Sequence, residues 1–170
     1  MKIILYMAMS LNGMIAKTND NTSWITPEEW NSYSSTVRKA GALIVGRRTY
    51  NILTKQPEFK EFKNVKLVVV SKKQNPELVN DSHLIAESPE KALELLKDFK
   101  EIIVAGGGIL DNSFIEKNLV DEVYIDIEPI ILTKGIPLFA GEKIIEINLK
   151  LIGQKKISEN EIQLHYKIIK

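Results

Sequence analysis

"IIVAGGGIL" (residues 102–110) runs four mostly apolar positions straight into three glycines and then resumes its apolar character. A short, nearly continuous apolar run suits a central strand covered on both faces. Glycines between such a strand and a helix either turn the chain tightly or let backbone N–H groups approach an anion. The common fingerprints fail here. G-x-G-x-x-G would need glycine at 111, where Asp111 stands, and a P-loop needs Gly-Lys-Ser/Thr where Ile109-Leu110 follows. On pattern alone, a packing turn and a phosphate cradle both stay open.

Working outward, residues 3–9 read as a buried first strand. Thr26-Pro27-Glu28-Glu29 opens a helix, with Thr26 as N-cap, Pro27 at the first position and Glu29 placed for a capping box. Trp30, Tyr33, Val37 and Ala40 follow at helical spacing, and Gly41 ends the segment. Strands are predicted at 42–46, 65–71, 82–86, 101–106 and 121–132. Helices are predicted over 47–53, from Ser88-Pro89 through Phe99, and after the glycines through Ile115. Residues 144–157 and 161–169 alternate apolar with polar around "SEN", which reads as an antiparallel hairpin. Strands alternating with helices imply an α/β fold with a mainly parallel sheet covered on both faces, made mixed by that hairpin.

The bulk composition excludes several function classes. The 170 residues suit one domain, and Lys plus Arg total 23 against 22 Asp plus Glu. That balance, without an arginine-rich run, argues against an electrostatic nucleic-acid binder. The absence of cysteine removes disulfides, thiol catalysis and cysteine-ligated metals, and His83 and His165 are too few and scattered for a histidine metal site. Ser10, Asn12 and Gly13 interrupt the N-terminal apolar run, which favours a strand over a signal peptide. No run reaches the roughly 18 apolar residues of a membrane span. A cytoplasmic protein without a membrane or nucleic-acid partner is the expectation.

Two further strand ends carry anion-friendly groups. "GRRTY" (46–50) puts glycine, two arginines and a threonine at a helix start, where guanidinium groups can grip a phosphate bidentately. Ser71-Lys72-Lys73 closes the 65–71 strand in the same fashion. Ligands of open α/β sheets bind at the carboxyl ends of strands, so three such ends together favour a phosphorylated nucleotide cofactor.

In order and spacing, "MSLNGMIA" (9–16), Trp24…Pro27…Glu29, "GRRTY", "VVVS" (68–71) and "VAGGGIL" (104–110) resemble the dihydrofolate reductase superfamily. "LVDEVYIDIEPIIL" (119–132) with "GIPLF" (135–139) looks closer to one branch, the reductase domain of riboflavin-biosynthesis deaminase-reductases and their stand-alone relatives. The resemblance spans essentially the whole chain and implies a three-layer α/β/α reductase domain over 1–170 that uses NADPH. It implies that Ala8, Ile15 and Ala16 flank the nicotinamide. Gly46, Arg47, Arg48 and Thr49 would hold cofactor phosphates, with Ser71 and Lys72 near the adenosine 2′-phosphate. Gly106, Gly107, Gly108 and Ile109 would approach the pyrophosphate, with a cis Gly106–Gly107 peptide. The implied substrate is a ribosylaminopyrimidine phosphate reduced at C1′. Dihydrofolate is the alternative, and a non-catalytic NADPH-binding protein is a third reading from a different class. The relatives are often dimers, so a homodimer through the late strands is expected.

Glu29 has two explanations. A capping box with Thr26 accounts for it without chemistry. In dihydrofolate reductases the matching position carries the acid that binds the pterin and assists protonation, which makes Glu29 the catalytic candidate. Ser10, Asn12 and Trp24 are the substrate-side candidates beside it. Departures bear on the substrate: Asn12-Gly13 stands where the riboflavin branch commonly has Asp-Gly, and Thr133-Lys134-Gly135 replaces the usual glycine-rich turn. The zinc-binding deaminase domain has no counterpart in these residues.

Overall fold

A computed structural model describes residues 1–72 and 77–170; Lys73, predicted at the basic strand end, lies outside the described residues. Eight strands form one sheet: β1 (Lys2–Ser10), β3 (Ala42–Gly46), β4 (Lys66–Val70), β5 (Leu84–Ala86), β6 (Glu101–Val104), β7 (Glu122–Glu128), β9 (Leu149–Lys156) and β10 (Ile162–Ile168). Their order is β5-β4-β3-β6-β1-β7-β10-β9. The first six run parallel, and β10 and β9 are antiparallel additions at one edge. A two-stranded ribbon pairs β2 (Met14–Ala16) with β8 (Ile136–Pro137).

Helices cover both faces, as the alternating strand–helix pattern requires. On one face α1 (Pro27–Ala40), α2 (Arg47–Leu53) and the 3-10 turn Pro57–Phe62 enclose Tyr33, Val37, Tyr50 and Phe62 against Ile4, Tyr6, Leu43 and Leu67. On the other, α3 (Pro89–Leu95) and α4 (Gly108–Glu116) press Ala92, Leu93, Leu110 and Phe114 onto Leu5, Ile44, Val68 and Ile102. Adjacent strand residues thus feed opposite cores, which is why the central strands read as unbroken apolar runs. The fold is the expected mixed, mainly parallel α/β sandwich of the dihydrofolate reductase type.

Several predicted elements differ in extent; the helix predicted through Phe99 ends at Leu95, and the strand predicted over 101–106 ends at Val104. The strand predicted over 121–132 stops at Glu128, and residues 144–148 precede β9 instead of beginning it. The late start of β9 has a plain cause: β10 reaches only Ile168 opposite Leu149, and the bond from Ile169 N to Asn148 O closes the ladder. The short strand predicted over 82–86 is confined to Leu84–Ala86. Among the described residues, no helix is long and apolar enough to cross a membrane.

Candidate functional site

The parallel topology brings the carboxyl ends of β4, β3, β6, β1 and β7 to one edge of the sheet. Gly46 and the glycine turn meet there: Gly46 N donates to Gly106 O at 2.7 Å, and Ala105 N to Ile44 O at 3.0 Å. The Gly106–Gly107 peptide is cis, as the resemblance implies. The three glycines serve different purposes. Gly106 has φ +75° and lies against Met7, leaving no room for a side chain; a Cβ on Gly108 would stand 2.3 Å from Pro137 O. Gly107, in contrast, is half-buried, and a Cβ there would meet only Thr49 Oγ1, at 3.4 Å. Two glycines are demanded by packing, and the one between them is open to the edge.

Gly107 caps α4 with no side-chain hydrogen bond. Leu110 N and Asp111 N bond back to Gly107 O, so Gly108 and Ile109 N–H open the helix without an intrahelical acceptor. Arg47 and Arg48 start α2 alongside, both exposed, and Thr49 is half-buried. Arg47 makes no ion pair among the described residues, whereas Arg48 is engaged by Asp20 in the loop after β2. At the end of β4, Ser71 is buried with its N–H on Ala86 O, and Lys72 is exposed. The structure therefore gathers Gly46, Arg47, Thr49, Ser71, Lys72 and the glycine turn along one edge. A helix terminus with free N–H groups beside unpaired cations is chemically suited to phosphate.

The acid side lies across β1 and β7. Ala8 is opposite Asp126 and Ser10 opposite Glu128, so these four residues share one face of the sheet. The capping expectation for Glu29 needs correction. Thr26 Oγ1 does accept Glu29 N–H at 3.1 Å, but Thr26 N donates to Glu128 Oε1 at 3.0 Å. Glu128, from a different element, takes the reciprocal half of the box. The Glu29 carboxyl is released from capping and buried, only 5% exposed, beneath the helix it begins.

Its neighbours make that burial costly. Glu29 sits near Asp126, Glu128 and Glu161; burial first, then these like charges, push its carboxyl well above the usual range. Burial raises Asp126 to about 6, partly offset by hydrogen bonds from Tyr6 (2.7 Å) and Gln163 (2.7 Å). Burial likewise raises Glu128 to about 7; the Thr26 N–H opposes the shift and Glu161 adds to it. The Tyr33 hydroxyl is buried without a hydrogen-bond partner and titrates high, through burial and then Glu29. Such a cluster holds protons near neutral pH, the property a general acid needs.

The remaining sequence-predicted residues divide. Trp24 is half-buried, and its indole Nε1 finds no hydrogen-bond partner among the described residues. Ile15 and Ala16 are buried on β2, which the Leu138 N to Gly13 O bond fastens to the segment packed on Gly108. Ser10 and Asn12 use their polar groups within the chain. Ser10 Oγ donates to Asn12 Oδ1 at 2.9 Å and accepts Met14 N–H at 3.0 Å, while Asn12 brackets Leu132 through its O and N–H groups. They brace the β1–β2 turn. Sequence reasoning missed Asp126, Glu128, Glu161 and Gln163, although Asp126 and Glu128 sit two residues apart in β7 and so on one face, and Glu161 and Gln163 bracket the start of β10. Among the described residues, no three His, Asp or Glu side chains are arranged to hold a metal ion.

A family model described as the RibD C-terminal domain matches residues 1–162. The chain is 34% identical over 173 residues to the uncharacterized protein YwjB of Bacillus subtilis (strain 168), covering 97% of each chain. Its fold matches Acinetobacter baumannii RibD with a TM-score of 0.80 at 16% identity, over 99% of this chain and 58% of that one. A Thermotoga maritima diaminohydroxyphosphoribosylaminopyrimidine deaminase/5-amino-6-(5-phosphoribosylamino)uracil reductase matches with a TM-score of 0.73 at 17% identity. That match covers 99% of this chain and 56% of the other, so the chain spans little more than half of either larger protein.

Proposed function

We propose, from the premise that the chain belongs to the RibD C-terminal domain family, that residues 1–170 form a single NADPH-dependent reductase domain whose substrate is a ribosylaminopyrimidine phosphate reduced at C1′. One observation carries the catalytic part of this reading. Glu29 is freed from its capping role by Glu128 and buried among proton-holding carboxylates, on the face where Ala8 and Asp126 lie side by side.

The residues present fit the cofactor. The open Gly107, the free N–H groups of Gly108 and Ile109, and the unpaired Arg47 suit a diphosphate, and Lys72 suits a further phosphate. Ala8, Ile15 and Ala16 are buried apolar residues, proposed as the wall beside the nicotinamide. When bound, NADPH supplies the hydride that reduces C1′, and the reaction consumes one proton. Glu29 is the residue to hold that proton and release it to the substrate, its carboxyl raised well above the usual range by burial and then by Asp126, Glu128 and Glu161. Ser10 and Asn12 fix the β1–β2 turn, which sets the distance between the cofactor wall and the acid. Trp24 is proposed on the substrate side, where its buried indole N–H has no hydrogen-bond partner among the described residues.

A second reading, dihydrofolate reduction, is favoured by the charge of the acid side. Among the described residues, Lys155 is the one cation that acts on Glu29, Asp126 or Glu128, through Asp126, so a phosphate ester meets few positive partners there. NADPH oxidation assayed in parallel with the pyrimidine phosphate and with dihydrofolate separates the two. Turnover with the pyrimidine phosphate supports the proposal, and turnover only with dihydrofolate replaces it. NADPH binding without turnover of either points to a cofactor-binding protein that is not an enzyme. A second copy of the chain is the proposed partner. β9 is an edge strand with Leu149, Leu151 and Ile152 each nearly half exposed, an arrangement that otherwise invites uncontrolled pairing.

A further inference from the structure

Asp111 is the residue that breaks the glycine fingerprint, and it stands inside the turn such a fingerprint would describe. Its side chain is fully buried in the first turn of α4. Oδ1 accepts Gly106 N–H at 3.0 Å, while Gly106 O accepts Gly46 N–H at 2.7 Å. The turn is thus gripped from two sides, by the end of β3 and by the helix that follows it. Oδ2 has no hydrogen-bond partner among the described residues.

The surroundings decide the charge state of this carboxyl. Oδ2 lies 3.7 Å from the position a Gly106 Cβ would take, where β1 contributes the uncharged Met7. Among the described residues no charged side chain pulls on it: not Lys2 of β1, not Arg47 or Arg48 of α2, not Glu116 of α4. Burial raises it well above the ordinary aspartate range, and the Gly106 N–H offsets only part of that. A helix N-terminus favours an anion, yet the same terminus turns the Gly108 and Ile109 N–H groups toward any incoming phosphate. An ionised Asp111 and a diphosphate would compete for one field.

We infer that Asp111 is a positioning residue that holds the glycine turn as a neutral carboxylic acid, with Oδ1 on Gly106 N–H and the acid proton on Oδ2, leaving the α4 terminus to the cofactor phosphates. The inference rests on the NADPH reading and adds to it a residue that no glycine pattern contains.

Calorimetric titration of the full chain with NADPH from about pH 6 to about pH 9 tests it on the wild type, Asp111→Asn and Asp111→Ala. Asparagine keeps an acceptor for Gly106 and carries no charge. Its Kd is expected within about twofold of wild type across this range. Alanine orphans the Gly106 N–H, so its Kd is expected to rise about tenfold, with kcat at saturating NADPH within about threefold. The cofactor's own phosphate titrates in every arm, so only differences between variants count. An Asp111→Asn Kd tighter than wild type by much more than twofold, an Asp111→Asn Kd as weak as that of alanine, or an alanine Kd equal to wild type overturns the inference alone. Should alanine fail to fold, the asparagine comparison decides. A wild-type chain that binds no NADPH overturns the cofactor reading, and this inference with it.

Discussion

Arg48 holds Asp20 with its Nη2 2.6 and 2.7 Å from the two carboxylate oxygens and Nε 3.2 Å from one of them. The pair fastens the loop after β2 to the start of α2, at the edge where the cofactor phosphates are proposed to lie. Both side chains are solvent-accessible, 61% and 33%, so the pair adds at most about 1 kcal/mol to folding. Asp20→Asn should therefore leave Tm nearly unchanged while freeing Arg48, tightening NADPH a few-fold. Arg47, already unpaired, serves as the contrast. Arg47→Ala should weaken NADPH and NADH alike, about tenfold, because the diphosphate it is proposed to meet is common to both. A loss confined to NADPH would move Arg47 to the 2′-phosphate.

Glu29→Gln distinguishes cap from catalyst. The N–H groups at the start of α1 are served by Thr26 Oγ1 and Glu128 Oε1, neither of which this change touches. Thermal stability should hold or rise, because a carboxyl crowded by three others is replaced by an amide. The kcat should fall by about 10²-fold or more, the usual contribution of a positioned acid. A large loss of Tm with unchanged kcat would return Glu29 to a purely structural role.

The half-formed capping box also marks what the sequence could tell. Thr26, three residues before Glu29, is a local signal, and it was legible. That Glu128 outcompetes Glu29 for the Thr26 N–H depends on β7 lying beside α1, a contact across 102 residues that no local pattern encodes. The parallel strands, both helix layers and the cis glycine peptide were legible for the same reason: each is written in nearby residues or in motif order. The β2–β8 ribbon was not, because three residues and two residues carry no period. Asp126 and Glu128 could have been noticed as acids that alternate, with Glu122, against the apolar Val123, Ile125 and Ile127 of the same strand. Asp111 registered only as a departure from a fingerprint, not as the group that replaces it.

The acid cluster should make the fold less stable as pH rises. Asp126 and Glu128 titrate near 6 and 7 when folded, above their ordinary 3.8 and 4.5. Between those limits the folded state binds more protons than the unfolded chain, so the stability they contribute is complete below about pH 4 and is lost as pH climbs through 6 to 7. Each group accounts for a change on the order of 2 kcal/mol. Denaturant melts should show stability falling from about pH 5 to about pH 8, with a shallower fall in Glu128→Gln. Stability rising over that window would mean that these carboxyls ionise freely in the fold.

The exposed edge strand predicts the assembly. All but one residue of β9 is exposed, and its outer backbone edge has no partner strand among the described residues. Sedimentation should find a dimer at micromolar concentration, and Leu151→Lys together with Ile152→Lys should give monomers with an unchanged circular dichroism spectrum. A wild-type monomer at every concentration would remove β9 as the interface.

The glycine turn offers the most direct test of the site, because its neighbouring glycines answer to different demands. A Cβ on Gly108 would stand 2.3 Å from Pro137 O and 3.2 Å from Leu138 O, both backbone atoms held by the Leu138 N to Gly13 O and Ala140 N to Gly108 O bonds. Gly108→Ala must therefore displace the 137–140 segment, and the expected loss is about 2–3 kcal/mol, the usual size for overpacking a core. Gly107 has φ −77°, which alanine adopts freely, and its Cβ would meet only Thr49 Oγ1 at 3.4 Å. Gly107→Ala should fold with nearly wild-type Tm, yet place a methyl group where the backbone is open to the edge. If that opening admits the diphosphate, NADPH affinity falls about tenfold or more in the stable variant. Wild-type affinity in Gly107→Ala would mean that all three glycines serve packing alone, and the phosphates would have to be sought at Arg47 and Thr49.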